Sequence, residues 1–228
     1  MKILSVLALL QAASDPQETK RPFRAQVTLE RFVKREDGVT VQSGTLAVRP
    51  GEALLFESRT ARLLVRDGRA TERRAGERTA RRWDLSKPEH FQPLDLWRLD
   101  GAALRSLFQV TTDRPSETRG LPPSVVTVEG TPVAPVPVKP GASLAAVEGI
   151  DRAEGCARVR LVPRDSRLRE KVSSIRLSVD RASGLILSAV VDSPTQVLTL
   201  TLSDYREVAS LEDAVFDWDL TSVKVEDR

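Results

Sequence analysis

The sequence predicts an all-β protein, either an antiparallel sheet or an open barrel, with one small helical element. Three observations support this prediction. Apolar and polar residues alternate with period two along many short segments, which is typical of strands with one buried face. Turn signals rich in Gly, Pro, Asp and Ser join neighbouring segments. The regular succession of strand and helix that builds a parallel sheet is missing from the pattern.

The first third of the chain is predicted to form consecutive hairpins. Ala25, Val27 and Leu29 alternate with polar residues in the first strand. Asp67-Gly68 is the strongest short hairpin signal in the chain, since this dipeptide suits the positive φ angles of a tight turn. The predicted strands cover residues 23–33, 39–48, 53–56, 61–65, 69–75 and 77–85.

The middle of the chain is predicted to contain a short helix at residues 100–108. Asp100 is placed to cap its first turn. Leu104, Leu107 and Phe108 lie at positions i, i+3 and i+4 and therefore form one apolar stripe.

A proline-rich segment follows this helix. Seven prolines fall between residues 115 and 140. Because proline cannot donate to a ladder of hydrogen bonds, the segment cannot run through the centre of a sheet. It is predicted to be an extended surface loop, with residues 125–128 as a candidate edge strand.

The last third of the chain returns to regular alternation. Ile175, Leu177 and Val179 alternate with polar residues, which predicts an antiparallel meander with one apolar face. The predicted strands cover residues 175–180, 187–191 and 197–202, and the segments 216–220 and 223–225 are predicted to close the meander.

Residues 1–14 are predicted to be a signal peptide. Met1-Lys2 is followed by an apolar run at residues 3–10 and then by small residues. The run is too short to span a bilayer as a helix. The alternative is an N-terminal core strand. A signal peptide places the mature chain outside the cytoplasm, with the periplasm as the expected destination. No cysteine follows the run, so we expect no lipid attachment.

Composition argues against several classes of function. The net charge is only +3, so the overall charge of the chain does not indicate a polyanionic partner such as nucleic acid. Cys156 is the single cysteine, which excludes a disulfide within the chain, and we expect it to be a small buried residue. His90 is the single histidine and has no nucleophile signal nearby. We therefore expect no enzyme activity, no cofactor and no metal.

Arginines are concentrated between residues 62 and 82. A nucleic-acid-binding surface would need interleaved aromatic residues or a recognition helix, and only Trp83 lies nearby. Two interpretations remain. The first is a solvated hairpin whose arginines pair across strands with Glu72 and Glu77. The second is a docking face for anionic headgroups or an acidic partner.

Several of these motifs, taken in order, resemble a known family. Residues 41–51 contain Arg49-Pro50, and Asp67-Gly68 follows with Asp67 eighteen residues after Arg49. This arrangement resembles the front half of the LolA-type periplasmic lipoprotein carriers. The rear-half segments that resemble the paired strands and turns of the family are 161–163, 175–180, Gly184, 192–195 and 216–225.

The resemblance implies an unclosed, strongly curved antiparallel β-barrel, a half-barrel, around an apolar cavity with a short helical lid. It implies a single domain over residues 22–226, with the proline-rich loop inserted. Members carry lipoprotein acyl chains or related lipid from an inner-membrane donor to an outer-membrane acceptor. Arg49 matches the family arginine associated with lid closure and ligand transfer, and Pro50 matches the neighbouring proline. We expect a monomer without a transmembrane segment.

The chain departs from the family pattern in three respects. Only residues 15–22 are available for the helix that usually precedes the first strand. The aromatic residues usual after the two motifs are absent from 52–55 and 69–72, so we expect an aliphatic cavity. Strict alternation places Arg49 on the face opposite Leu46, so that it points to solvent unless a bulge turns it inward.

The candidate lid is the helix that carries Leu104, Leu107 and Phe108. The candidate cavity walls are Leu55, Leu63, Ile175, Leu177 and Val179. The alternative is that these side chains fill a closed core. A competing function on the same fold is a periplasmic sensor or protein-interaction module. A cavity filled by the protein's own side chains favours the sensor, and an open apolar groove favours the carrier.

Overall fold

The computed structural model describes residues 21–35, 38–112, 126–128, 156–221 and 223–227. The predicted signal peptide at 1–14 and most of the predicted loop at 115–140 lie outside these residues. The described strands are β1 Phe23–Val33, β2 Val39–Arg49, β3 Ala53–Ser58, β4 Ala61–Arg66, β5 Arg69–Arg74, β6 Thr79–Asp84, β7 Phe108–Thr112, β8 Val126–Val128, β9 Cys156–Pro163, β10 Ser174–Asp180, β11 Ile186–Asp192, β12 Gln196–Glu207 and β13 Lys224–Asp227.

All the described strands belong to one sheet, in the order β13-β6-β5-β4-β3-β2-β1-β12-β11-β10-β9-β7, with β8 beside β2. Neighbours are antiparallel except for β13 with β6 and β8 with β2. Among the described strands the two end strands, β13 and β7, do not pair with each other, so the sheet is unclosed. The predicted fold class, a mostly β half-barrel with a short helical lid, is confirmed.

The edge strand predicted within the proline-rich segment is β8. It pairs with residues 39–41 of β2, whereas β3 pairs with residues 44–49. The strand therefore lies beside the part of β2 that extends beyond β3.

The helical elements of the described residues are short. They are the α-helices α1 Gly101–Leu107 and α2 Ser166–Lys171, and the 3-10 turns Pro88–His90, Pro93–Trp97 and Asp213–Phe216. The predicted cap of α1 is confirmed, because Asp100 Oδ1 accepts a hydrogen bond from the backbone N–H of Ala103 at 2.7 Å. An aspartate, Asp165, likewise caps α2.

The Asp67-Gly68 turn has the backbone conformation that its sequence predicts. Asp67 has φ 52° and Gly68 has φ 71°. Positive φ at both central residues gives a turn whose twist matches that of the flanking strands. This turn fixes the register of β4 against β5, in which Val65 faces Ala70.

The predicted closure of the rear meander by two strands is wrong. Residues 213–216 form a 3-10 turn, and the chain next enters a strand only at Lys224. That strand, β13, pairs in parallel with β6 at the far end of the sheet. Long-range pairing decides this placement, which local alternation does not encode.

The sheet carries an apolar cluster on each face. The inner cluster is the larger and contains side chains from most strands, for example Val27, Leu54 and Leu161, all of which are buried. The outer cluster consists of Ala47, Ala53, Leu55, Leu211 and Phe216. The face that carries each cluster is called the inner or the outer face below.

The arginine-rich hairpin lies in β4–β6 and pairs with nearby acids. Arg74 Nε lies 3.4 Å from Glu72 Oε1, and Arg81 Nη2 lies 3.8 Å from Glu77 Oε1. Both acids thus pair with arginines near them in the chain, whereas the predicted pairing was across strands. Such exposed pairs contribute little to stability.

Candidate functional site

The inner face presents a continuous apolar wall. Leu63, Ile175, Leu177 and Val179 lie in it and are all buried. They share this face because alternate residues of a strand point to the same side and because the register aligns neighbouring strands. The structure therefore brings four of the five predicted wall residues together.

Leu55, the fifth predicted wall residue, lies on the outer face instead. It faces Leu64 of β4 and belongs to the outer cluster, whereas Leu54 and Phe56 belong to the inner cluster. All four residues from Ala53 to Phe56 are apolar and buried. Because such a run has no alternation of character, the sequence does not show which of its members point inward.

Two short segments, together residues 93–107, cover the inner wall and are called the lid below. The second segment is α1, in which Leu104 is buried and Leu107 is half-buried against the inner cluster. Phe108, predicted as part of this helix, instead begins β7 and is a fully buried residue of the wall. The predicted apolar stripe thus faces inward, although its last member belongs to the sheet.

The first lid segment was missed by the sequence analysis. It is the 3-10 turn Pro93–Trp97, in which Leu94, Leu96 and Trp97 are buried in the inner cluster. Pro93 occupies the first turn, a position that proline favours because its φ angle is already helical. Proline followed by three apolar residues in four positions was the available signal.

Polar contacts attach the first lid segment at its end. The indole Nε1–H of Trp97 donates to the backbone oxygen of Ile186 at 2.8 Å. Arg98 forms a two-pronged ion pair with the buried carboxylate of Asp95, at 2.6 and 3.0 Å. The backbone N–H of Gly51 donates to the carbonyl of Arg98 at 2.9 Å. The lid is therefore attached to β11 on one side and to the turn between β2 and β3 on the other.

Arg49 points away from the lid. β2 pairs with β3 without a bulge, so Arg49 keeps the outer-face position that alternation predicts. It is nevertheless not directed into solvent. Its Nη1 lies 2.8 Å from Asp213 and 3.3 Å from Glu52, and its Nη2 donates to the backbone oxygen of Leu211. The guanidinium also lies over the ring of Phe216. Arg49 thus holds the segment after β12 against the outer face.

The Arg49-Pro50 motif and the following glycine serve both faces of the sheet. The Arg49 side chain contacts Asp213 in the segment after β12 on the outer face. Gly51, in the turn that Pro50 begins, contacts the lid through its backbone. Gly51 has φ 79°, which a residue without a Cβ adopts without strain. The motif therefore contacts the lid through main-chain atoms and not through the arginine.

The ion pair between Arg49 and Asp213 shifts the pKa values of both side chains. The hydrogen bond and positive charge of Arg49 hold the pKa of Asp213 below its usual value. Asp213 in turn raises the pKa of Arg49. Both groups are therefore charged at neutral pH, and the pair is lost in acid when the Asp213 carboxylate is protonated.

The lid side chains Leu94, Leu96, Trp97 and Leu104 pack into the inner cluster. One cavity of about 80 Å³ is found at the edge of the lid, between Trp97 and the strand ends that carry Phe23, Ile186 and Tyr205. Pockets for small ligands usually measure about 300–1,000 Å³. This cavity is therefore smaller than a usual ligand pocket, and lid side chains pack against the inner wall beside it.

Three further features of the described residues bear on the kinds of site that they form. They contain no cluster of three or more potential metal-ligating side chains. None of their helices has the length and apolar character that crossing a bilayer requires. The single cysteine, Cys156, is half-buried at the start of β9, so it is less buried than expected.

The fold is similar to that of several solved structures, although no family model and no curated protein matches the sequence. An uncharacterized conserved protein from Thermus thermophilus has a TM-score of 0.50 and 10% identity, covering 98% of this chain and 99% of that chain. A LolA superfamily protein from Nitrosomonas europaea has a TM-score of 0.45 and 11% identity, covering 93% of this chain and 97% of that one.

The lipoprotein LppX from Mycobacterium tuberculosis is a third similar structure, with a TM-score of 0.39 and 11% identity, covering 92% of this chain and 97% of that chain. The strand order and the segments that cover the inner face define the class of protein as an open half-barrel with a short lid. The resemblance to the LolA-type family is one of fold, and at these identities it says nothing of the ligand.

Proposed function

We propose that the protein is a carrier outside the cytoplasm that binds an acyl chain of a lipoprotein, or a related lipid, against the inner face. The carrier passes its cargo from the inner membrane towards the outer membrane, and its action requires no chemical reaction. The observation that supports this proposal is that side chains from outside the sheet pack against the inner wall. Leu94, Leu96, Trp97 and Leu104 belong to the lid and not to the sheet.

A lid of this kind can compete with an acyl chain for the same surface. Burying a large apolar side chain contributes roughly 1.5–3 kcal/mol. The four lid side chains therefore contribute roughly 6–12 kcal/mol when the lid is closed. A chain of about sixteen carbons contributes about 12 kcal/mol at about 0.8 kcal/mol for each CH₂ group.

Because these two free energies are of similar size, either occupant can replace the other. A cargo held only by an apolar wall would leave slowly. A lid that takes back the same wall offsets much of the cost of release. The hydrogen bonds from Trp97 to Ile186 and from Gly51 to Arg98 join uncharged groups, which is consistent with such an exchange.

The proposal is tested by extracting lipid from the natively purified protein and identifying it by mass spectrometry. A second test titrates the mature chain with a fluorescent fatty acid, for which we expect micromolar binding. The Trp97→Phe variant removes the bond to Ile186 and keeps an aromatic ring, so it should bind the probe more tightly because its lid opens at a lower cost. Trp218→Phe, the same change away from the inner cluster, is the matched control.

A well-folded protein that yields no lipid and binds no probe would contradict the carrier. That outcome would favour the second candidate function, a sensor or protein-interaction module on the same fold. One observation supports this alternative, namely that the cavity beside the lid measures only about 80 Å³. The two functions therefore make opposite predictions for the same titration.

A further inference from the structure

Two irregular strands flank the small cavity at the edge of the lid. In β12, Ser203 pairs with Gln26 and Arg206 pairs with Arg24, so that Ala25 alone faces two residues. The two are Asp204 and Tyr205, and Asp204 has φ 49°. This is a β-bulge, in which one strand has an extra residue.

The bulge in β12 changes which side chains face inward. Leu200 and Leu202 point to the inner cluster. An unbroken strand would next place Asp204 and Arg206 on that face. Because of the extra residue, Tyr205 turns inward instead, and its ring packs on Phe23 with the ring centroids 5.1 Å apart.

A second bulge lies in β11, the strand paired with β12. Ser178 pairs with Ser188, but Val179 pairs with Ile186, so that Leu187 is the extra residue. Ile186 consequently points into the inner cluster together with Val179. Both bulges therefore turn a side chain towards the same cavity, and bulges with this effect are common beside functional sites.

The cavity has an apolar interior and a polar rim. Its interior is formed by Phe23, Leu96, Trp97, Leu185 and Ile186. Its rim carries Arg21, Tyr205 and Glu207. The Tyr205 hydroxyl donates to Glu207 Oε1 at 3.2 Å, and Arg21 Nη1 lies 3.9 Å from Glu207 Oε2. This arrangement suits a molecule with an apolar tail and a polar end.

We propose that a lipid acyl chain inserts tail first at this cavity, beneath Trp97, and that the polar end of the lipid stays at the rim formed by Arg21, Tyr205 and Glu207. This inference rests on the proposed carrier function and adds the place where the cargo enters. Trp97 lines the cavity and also holds the lid through its bond to Ile186. An acyl chain that advances under the indole breaks this bond and exposes the wall behind it.

The first experiment blocks the cavity. Leu185→Trp places a larger side chain in its lining, and Leu64→Trp makes the same change at a half-buried position on the outer face. Stopped-flow measurements with a fluorescent fatty acid should show association slowed about tenfold by Leu185→Trp and changed less than about twofold by Leu64→Trp. Equal association rates in the wild type and a folded Leu185→Trp protein would overturn the inference.

The second experiment places no larger side chain in the cavity and therefore does not depend on folding of the blocked variant. The chain has three tryptophans. Replacing Trp83 and Trp218 by Phe leaves Trp97 alone, and replacing Trp83 and Trp97 by Phe leaves Trp218 alone. A fatty acid brominated near its carboxyl end should quench Trp97 strongly and Trp218 little, because the bromine stays close to the cavity mouth.

The outcomes separate this inference from the function on which it rests. If the wild-type protein binds no fatty acid, the carrier function fails. If it binds but the brominated fatty acid quenches Trp97 no more than Trp218, the carrier function stands and this site of insertion is overturned.

Discussion

The guanidinium of Arg49 stacks over the ring of Phe216, with its central carbon 5.0 Å from the ring centroid. This contact lies on the outer face, opposite the lid. It joins the end of β2 to the 3-10 turn after β12, which is more than 160 residues away in the chain. The resemblance to the carrier family implied a role for Arg49 at the lid. The structure instead connects Arg49 to the segment that carries Leu211, Asp213 and Phe216.

The first prediction concerns this contact. Arg49→Leu should loosen residues 211–216, because it removes the ion pair with Asp213, the bond to the Leu211 carbonyl and the stacking on Phe216. Hydrogen exchange measured by mass spectrometry should increase at residues 211–216 and stay unchanged at residues 93–97. Faster exchange at residues 93–97 would show instead that Arg49 acts directly on the lid.

The same ion pair predicts an acid dependence of stability. The folded pKa of Asp213 is below its unfolded value of about 3.8. The pair therefore stabilises the fold fully above pH 4 and is lost as the pH falls through the folded pKa. Comparing urea unfolding of the wild type and Asp213→Asn at neutral pH and at pH 3 checks this sign. The difference should be larger at neutral pH.

Gly44 makes a second testable contact. A Cβ at this position would lie 2.6 Å from a ring carbon of Phe56 and would also clash with the backbone oxygen of Glu57. Because the backbone oxygen cannot move aside, we expect Gly44→Ala to destabilise the protein by about 1–3 kcal/mol. Urea unfolding measures this, with Thr45→Ala as the neighbouring exposed control. Equal stability of Gly44→Ala and wild type would contradict the close packing.

Tyr205 is the single tyrosine, so its ionisation can be observed directly. Burial, followed by the hydrogen bond to Glu207 and the charge of that residue, raises its pKa to about 12 from the ordinary 10.0. The ultraviolet absorbance of tyrosinate should therefore titrate about two pH units above free tyrosine. Because the pKa of Tyr205 is higher in the folded than in the unfolded protein, the contribution of neutral Tyr205 to the free energy of unfolding is complete below pH 10. This contribution is lost as the pH rises from 10 to 12.

A control for this titration is Glu207→Gln. It removes the charge and keeps a hydrogen-bond acceptor, so the midpoint should fall but remain above 10, because burial is the larger cause. A midpoint at the ordinary value in the wild-type protein would mean that Tyr205 is exposed, and the bulge would then not turn it inward.

The bulge itself predicts the response of Asp204 to substitution. Its φ of 49° lies in the left-handed region, which glycine adopts freely and aspartate tolerates, but which a β-branched residue resists. Asp204→Val should therefore destabilise the protein by about 1–2 kcal/mol, and Asp204→Gly should not. Ser203→Val, an exposed strand position next to it, serves as the control. A tolerated Asp204→Val would show that the bulge is absent in solution.

The elements that the sequence predicted well are those that depend on neighbours in the chain. The Asp67-Gly68 turn, the alternating strands and the capping of α1 by Asp100 each involve residues a few positions apart. For the candidate site, Leu63, Ile175, Leu177, Val179 and Leu104 were placed on the inner face for the same reason. Leu55 was misplaced, because its uninterrupted apolar run has no period from which an inward side can be deduced.

The remainder was decided by contacts between distant residues. The two bulges that turn Tyr205 and Ile186 inward exist only as a mismatch between paired strands, which one strand's sequence does not contain. The position of the lid depends on a bond from Trp97 to Ile186, 89 residues later. The sequence by itself thus determined strands, turns and a mostly antiparallel β fold. Only the tertiary structure decided which face is covered, by which lid, and where the cavity lies, because register and long-range packing set these features.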